Sequence, residues 1–334
     1  MWTFQILTDG LADLPKAWVA AHPYLTVIDT PIIISGKDNL TLRNLTPDDF
    51  WQVDQYVKQG DRATTSQPTI FDPEGEISGS VESITRQYLR DGKDVIYVTM
   101  SSFLSGAYNT ALPCFERLDQ FAKAHGNRAL CVDSQCMSTG LALLLMELAD
   151  FVEVHANCTV QDVKTFVETE RGYIGHFFTW KELSYIRLSG RVSATKAILG
   201  TVLSVRLICS NLYNDQNERK LEEINHDNRM RVRGILNFAR VLGMYAKMHI
   251  ADPHGIIIVA HGNVPKDAQI IANTMREYLP DAQYLIGPEW RVGAGVQVHG
   301  GPTSVHVNFR TKEIGRLDAA VADVATIIHQ LKAH

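Results

Sequence analysis

Three short hydroxyl-bearing segments lie far apart in the chain: Thr64-Thr65-Ser66-Gln67-Pro68, Ser101-Ser102-Phe103-Leu104-Ser105-Gly106 and His299-Gly300-Gly301-Pro302. Each is small and polar, and each borders an apolar run that reads as a strand or a buried helix. None contains a thiol, a carboxylate pair or a full set of metal ligands. Hydroxyls, backbone N–H groups and one imidazole are donors, so the set suits holding a small anion better than breaking a bond.

Taken singly, each segment also has a plain structural reading. Ser101-Ser102 follows the strand-like run Val95–Thr99 and precedes a helical pattern. Ligands in open α/β sheets bind beyond the carboxyl ends of strands, and the unpaired N–H groups of a helix start favour an anion. Ser101, Ser102 or Ser105 would add donors there, although serines in that place read first as helix caps. Pro68 pushes Gln67 towards an extended backbone, so Thr65-Ser66-Gln67-Pro68 reads alone as a loop. Gly300 would let a ligand approach the backbone and His299 would donate to it, yet Gly293 and Gly295 make the same stretch ordinary turn material. Asp9 and Asp13 follow the first strand, and Asp133-Ser134 follows a later one; each is a helix cap or a metal ligand, with Asp13 the favoured cap.

The elements that must carry these segments change character along the chain. Strand-like runs at 4–8, 25–28, 31–34, 95–99 and 129–132 alternate with helical patterns at 14–21, 71–89, 104–124 and 139–151. Thr46-Pro47-Asp48-Asp49 opens a further helix, with Thr46 as cap. This alternation predicts an open, mostly parallel sheet with helices on both faces. From Thr159 onward the order is looser: a helix to Arg171, strands near 173–179, 203–209 and 221–224, a long helix over 229–248, strands at 255–261, 283–286 and 304–309, and a last helix over 317–331. That half predicts an α/β domain with a mixed sheet and helices on one face. The expected division is 1–155, 156–310 and a helical extension, 311–334.

Composition narrows the function classes. With 334 residues, 45% apolar and 21% charged, the chain has material for two globular cores. A net charge of −5 argues against a nucleic-acid surface, and Arg229, Arg231 and Arg233 are too few to reverse that. No apolar run approaches the ~18–20 residues of a membrane span, and the N-terminus reads as a strand, not a signal peptide. Five irregularly spaced cysteines (Cys114, Cys131, Cys136, Cys158, Cys209) suggest free thiols in a reducing cytoplasm. No Gly-x-Ser-x-Gly elbow, Walker A loop or Gly-x-Gly-x-x-Gly fingerprint is present.

Six motifs in order give a sharper reading. Asp9-Gly10-Leu11-Ala12-Asp13-Leu14-Pro15, Thr65-Ser66-Gln67-Pro68, Ser101-Ser102-Phe103-Leu104-Ser105-Gly106-Ala107-Tyr108, Val132-Asp133-Ser134, Tyr185 to Ser193 and His299-Gly300-Gly301-Pro302-Thr303 run from about residue 5 to 309. In this the chain resembles the DegV family of fatty-acid-binding proteins. The resemblance implies two α/β domains with one long-chain fatty acid held between them, and no catalytic residue or cofactor. It implies a carboxylate gripped by Thr65 and Ser66 of the second motif, by Ser101 or Ser102, with Ser102 preferred as nearer the helix start, and near His299 and Gly300. It also implies a partner, a fatty-acid kinase that makes an acyl-phosphate, with Arg191 at the docking surface. The chain departs from the family wording at Gly10, Phe103, Ser189 and Thr303. The competing reading is an acyl hydrolase in which Ser102 and His299 form a dyad oriented by Asp9 or Asp133.

Overall fold

The computed structural model describes residues 2–36, 40–72, 79–189, 205–224 and 232–333. In chain order the elements are β1 (Phe4–Asp9), α1 (Lys16–Ala21), β2 (Leu25–Ile28), β3 (Ile32–Ser35), β4 (Leu40–Leu42), α2 (Trp51–Lys58), β5 (Arg62–Thr65), α3 (Val81–Arg90), β6 (Asp94–Thr99), α4 (Ala107–Lys123), β7 (Ala129–Asp133), α5 (Ser138–Val154) and α6 (Val160–Glu170). There follow β8 (Ile174–Trp180), α7 (Ser184–Ser189), β9 (Val205–Arg206), β10 (Cys209–Ser210), β11 (Glu222–Glu223), β12 (Val232–Arg233), α8 (Gly234–His249), β13 (Ile256–His261), α9 (Pro265–Arg276), β14 (Gln283–Leu285), α10 (Ala294–Gly300), β15 (Ser304–Arg310) and α11 (Leu317–Ala333).

The chain divides into two compact units, residues 1–44 with 56–171 and residues 45–55 with 172–334. The division therefore falls at Arg171, not at 155, because α6 packs on β6 and β7 of the first sheet. Residues 311–334 are no appendage to their unit: Ala320, Val324, Ile327 and Ile328 of α11 sit in its core.

The first unit is built on a parallel sheet ordered β2-β1-β6-β7. Its strands are buried on both faces, which is why they read as unbroken apolar runs. Leu7, Val95, Tyr97, Ala129 and Cys131 point one way, into a cluster with Phe115 and Leu118 of α4. Ile6, Ile96, Val98 and Val132 alternate with them and are equally buried on the other face, where α6 packs. A small antiparallel sheet, β4-β3-β5, lies beside this core and delivers Thr65 at the end of β5.

Two expected helices are shorter than their periodicity suggests. The helix expected from Phe71 starts at Val81, because Ser80 caps it by accepting from the Ser83 N–H. The one expected from Leu104 starts at Ala107, after a turn in which Leu104 N–H and Ser105 N–H both donate to the Ser101 carbonyl. Thr46 and Asp49 form a capping box before α2, and Thr159 and Asp162 form another before α6.

The second unit carries a six-stranded mixed sheet, β11-β10-β8-β15-β13-β14, parallel only between β13 and β14. Phe177, Val305, Val307, Phe309, Ile257 and Val259 form one face of it and are buried with Phe238, Leu242, Ile271 and Met275 of α8 and α9. The opposite pleat of β8 and β15 carries His176, Phe178, Trp180, Ser304 and His306. The single long strand expected over 203–209 is two short ones, β9 and β10, and they belong to different sheets.

Candidate functional site

In the first unit the carboxyl ends of β1, β6 and β7 bring Asp9, Ser101, Ser102 and Asp133 together. Asp9 is buried at the end of β1. Its two oxygens accept from the Tyr97 hydroxyl and from the Met100 backbone N–H. Burial raises its carboxyl to about 6; the two hydrogen bonds oppose that, and the Asp133 charge adds to it. Asp133, at the end of β7, accepts from the Ser102 N–H at 3.1 Å and from the Ser102 hydroxyl at 2.6 Å. It also accepts from the Gln135 N–H at 2.9 Å. Asp133 is thus not the cap of α5, which is Met137; it fixes the turn that carries the two serines. Among the described residues, no three His, Cys, Asp or Glu side chains stand together as a metal site.

The two serines differ in where their protons go. Ser102, half-buried, gives its hydroxyl proton to Asp133. Ser101 is fully buried; its Oγ accepts from the Phe103 N–H at 3.3 Å, and its own proton meets no acceptor among the described residues. Ser102 lies nearer the start of α4 than Ser101, but the hydroxyl that meets the helix start is that of Ser105, whose Oγ accepts from Ala107 N–H at 3.2 Å. Asp13, expected to cap α1, instead has φ 52° and accepts from the Ser138 hydroxyl, while Pro15 occupies the cap of α1.

The second segment comes to the same end of the unit. Thr65 pairs with Ile32 across β5 and β3, and Ser66 N–H donates to the Pro31 carbonyl at 2.8 Å. The Ser66 hydroxyl donates to the Gln67 carbonyl at 3.1 Å. Gln67 then reaches the first turn of α4, where its Oε1 accepts from the Thr110 hydroxyl at 3.1 Å. It also leaves little room at Gly106, where a Cβ would stand 3.3 Å from the same oxygen. Gln67 therefore ties Thr65-Ser66-Gln67-Pro68 to the helix that follows the serine turn.

In the second unit His299 and Gly300 form the last turn of α10. His299 is half-buried and Gly300 buried. Neither Gly300 nor Gly301 can take a side chain freely. A Cβ on Gly300 would stand 3.0 Å from Trp180 Nε1, and one on Gly301, which has φ +77°, would stand 2.7 Å from the Tyr185 ring. Tyr185 in α7 donates to Asp54 of α2, with Phe50 packed 6.0 Å from its ring, so the turn after α10 is braced by two other elements. Burial and the Asp54 carboxylate both push the Tyr185 hydroxyl up, so it stays protonated. Arg191 lies outside the described residues. Asp133 and Tyr185 lie in two of the six motifs, but their bonds to Ser102 and to Asp54 carry no sequence signal, and Trp180 lies in no motif.

The DegV family model, described as "Uncharacterised protein, DegV family", matches residues 3–312. The chain belongs to the DegV family. Among curated DegV relatives, a DegV domain-containing protein of Clostridium perfringens is 28% identical over 313 residues, which is 92% of this chain and 98% of that protein. Two solved structures show the same fold. A stearic acid-binding protein of Eubacterium ventriosum superposes with a TM-score of 0.70 at 17% identity, covering 92% of this chain and 98% of that one. DegV of Bacillus subtilis, described as a fatty acid binding protein, gives 0.67 at 18% identity and covers 93% and 100%. The two-unit α/β architecture is thus that of the DegV family. All five cysteines are buried free thiols, and among the described residues no helix is long and apolar enough to cross a membrane.

Proposed function

We propose that this DegV chain is a carrier, not an enzyme, and that it binds a long-chain fatty acid whose carboxylate is held by Thr65, Ser66, Ser101, Ser102, His299 and Gly300. The observation that carries this is the serine turn beyond β6: a buried hydroxyl, Ser101, with an uncommitted proton, beside a serine locked by Asp133. A charged head group needs donors where it leaves water, not a nucleophile. An acyl tail then supplies affinity at roughly 0.8 kcal/mol per buried methylene. Solved relatives described as fatty acid and stearic acid binding support the same ligand class. Native mass spectrometry of the freshly purified protein tests it: a co-purifying long-chain acid is expected, and an empty protein that takes up no acid on titration refutes it.

The proton count makes Ser101, ahead of Ser102, the main hydroxyl donor. Ser101→Ala loses a hydrogen bond to a charged group, worth about 1.5–3 kcal/mol, or roughly tenfold to a hundredfold in affinity. Ser102→Ala, whose hydroxyl is already spent on Asp133, has the smaller effect; the reverse order by isothermal titration overturns this assignment. Presentation of the acid to a fatty-acid kinase, with Arg191 as the docking residue, is part of the same proposal. Arg191→Ala is expected to spare lipid binding and to slow acyl phosphorylation. The hydrolase reading rests on the Ser102–Asp133 bond, since a hydroxyl given to a carboxylate is half of an activated nucleophile. It predicts burst release from an acyl ester and labelling of Ser102 by a phosphonate, whereas the carrier predicts neither.

A further inference from the structure

Two buried polar atoms stand near Gly300. Trp180 is 2% exposed and Ser304 is fully buried. Neither Trp180 Nε1 nor Ser304 Oγ has a hydrogen-bond partner among the described residues. The two residues are register partners across β8 and β15. Trp180 Nε1 stands 3.0 Å, and Ser304 Oγ 3.9 Å, from the point that a Cβ on Gly300 would occupy. Both atoms therefore lie near Gly300, where Trp180 Nε1 already stands too close to leave room for a side chain. An unpaired buried donor is costly, roughly 1–3 kcal/mol, and most such groups in folded proteins have a partner. Two of them sharing one neighbour can be bridged by a single oxygen.

The chemistry of that oxygen is constrained. An indole N–H only donates, so its partner must offer a lone pair; a serine hydroxyl donates equally well. An oxygen with no proton of its own satisfies both at once, and a carboxylate oxygen is such an atom. His299, the residue before Gly300, is the imidazole already assigned to the head group. We propose that Trp180 and Ser304 are head-group residues: the indole N–H and the Ser304 hydroxyl receive one carboxylate oxygen of the bound acid and select acids over uncharged lipids of equal length. This rests on the fatty-acid reading above. It adds two residues that lie outside the hydroxyl-rich motifs.

The test compares hexadecanoate with hexadecanol. Protein labelled with 15N at its tryptophan indoles is titrated with each, the Trp180 signal being assigned by its absence in Trp180→Phe. Hexadecanoate is expected to move the Trp180 N–H signal downfield, with saturation at one equivalent. Trp180→Phe and Ser304→Ala are each expected to bind hexadecanoate roughly tenfold to a hundredfold more weakly and to lose much less affinity for the uncharged head group of hexadecanol. Ser304→Ala only removes an atom, so it keeps the affinity arm decisive if Trp180→Phe does not fold. A wild-type protein that binds hexadecanoate with a stationary Trp180 signal, and variants that bind it normally, would show that the two atoms hold a structural water only and would overturn the proposal. A wild-type protein that binds neither lipid overturns the fatty-acid reading itself, a result seen before any variant is made.

Discussion

At the strand ends of the first unit, Asp9 and Asp133 absorb the donors around them, while at the end of α10 in the second unit Trp180 Nε1 and Ser304 Oγ are buried without partners among the described residues. The first arrangement is a hydrogen-bond network, closed except for the Ser101 proton, in which a serine turn is held rigid by a carboxylate. The second has donors in place and nothing to receive them. The difference teaches two uses of a buried polar group. A satisfied network sets geometry, and an unsatisfied pair of donors stores affinity for whatever supplies the missing acceptor. Deleting a polar group should therefore have opposite signs in the two places.

Asp133→Ala is the strongest way to break that comparison. It strands the Ser102 N–H, the Ser102 hydroxyl and the Gln135 N–H in a buried turn. At roughly 1–3 kcal/mol for each donor left without a partner, less what water recovers, a loss of about 4 kcal/mol is expected. Urea unfolding at constant m-value measures it, and a change below about 1 kcal/mol would show that the carboxylate is not what holds the turn.

Asp9 sharpens the same network through pH. Its carboxyl sits at about 6 against an ordinary 3.8, mainly from burial. A raised value in the fold means that the folded chain holds this proton more tightly than the unfolded chain does. The contribution is present in full below about pH 4 and is lost as pH rises through 6, on the order of 3 kcal/mol in all. Asp9→Asn keeps an acceptor for Met100 and removes the ionisation, so the wild-type minus variant stability should fall between pH 4 and 7. A difference that stays flat across that window would place the ionisation elsewhere. Carbon-13 detection of the carboxyl checks the midpoint directly.

The parallel sheet and its strand-end segments were legible in the sequence because strands buried on both faces are continuous apolar runs, as at Val95–Thr99 and Ala129–Val132. Helix starts were less so. The apolar spacing from Phe71 reads as one helix, yet the start is set by the Ser80 hydroxyl meeting the Ser83 N–H, with Asp72 in turn accepting from Ser80. A local competition between side chain and backbone decides such points, and periodicity does not register it. Asp13 shows the same limit, since its left-handed backbone and its bond to Ser138 come from contacts with α5. The pair Trp180 and Ser304 had no sequence signal at all. It exists only because β8 and β15 lie side by side in one register, and because Gly300 carries no side chain and lets α10 approach them closely.

Ser304→Ala gives the smallest expected change and the most telling sign. In the lipid-free protein the wild-type hydroxyl is buried and has no partner among the described residues. Burying such a group costs free energy that a methyl group of similar shape does not. The variant should therefore be as stable as the wild type or up to about 1 kcal/mol more stable in thermal and urea unfolding, the reverse of Asp133→Ala. Saturation with hexadecanoate should invert the order, because the acid stabilises the wild type by its occupancy and the variant by less. A Ser304→Ala protein less stable than wild type without lipid would mean that the hydroxyl is already satisfied by a tightly held water. The second unit would then be as finished as the first, and the contrast between them would disappear.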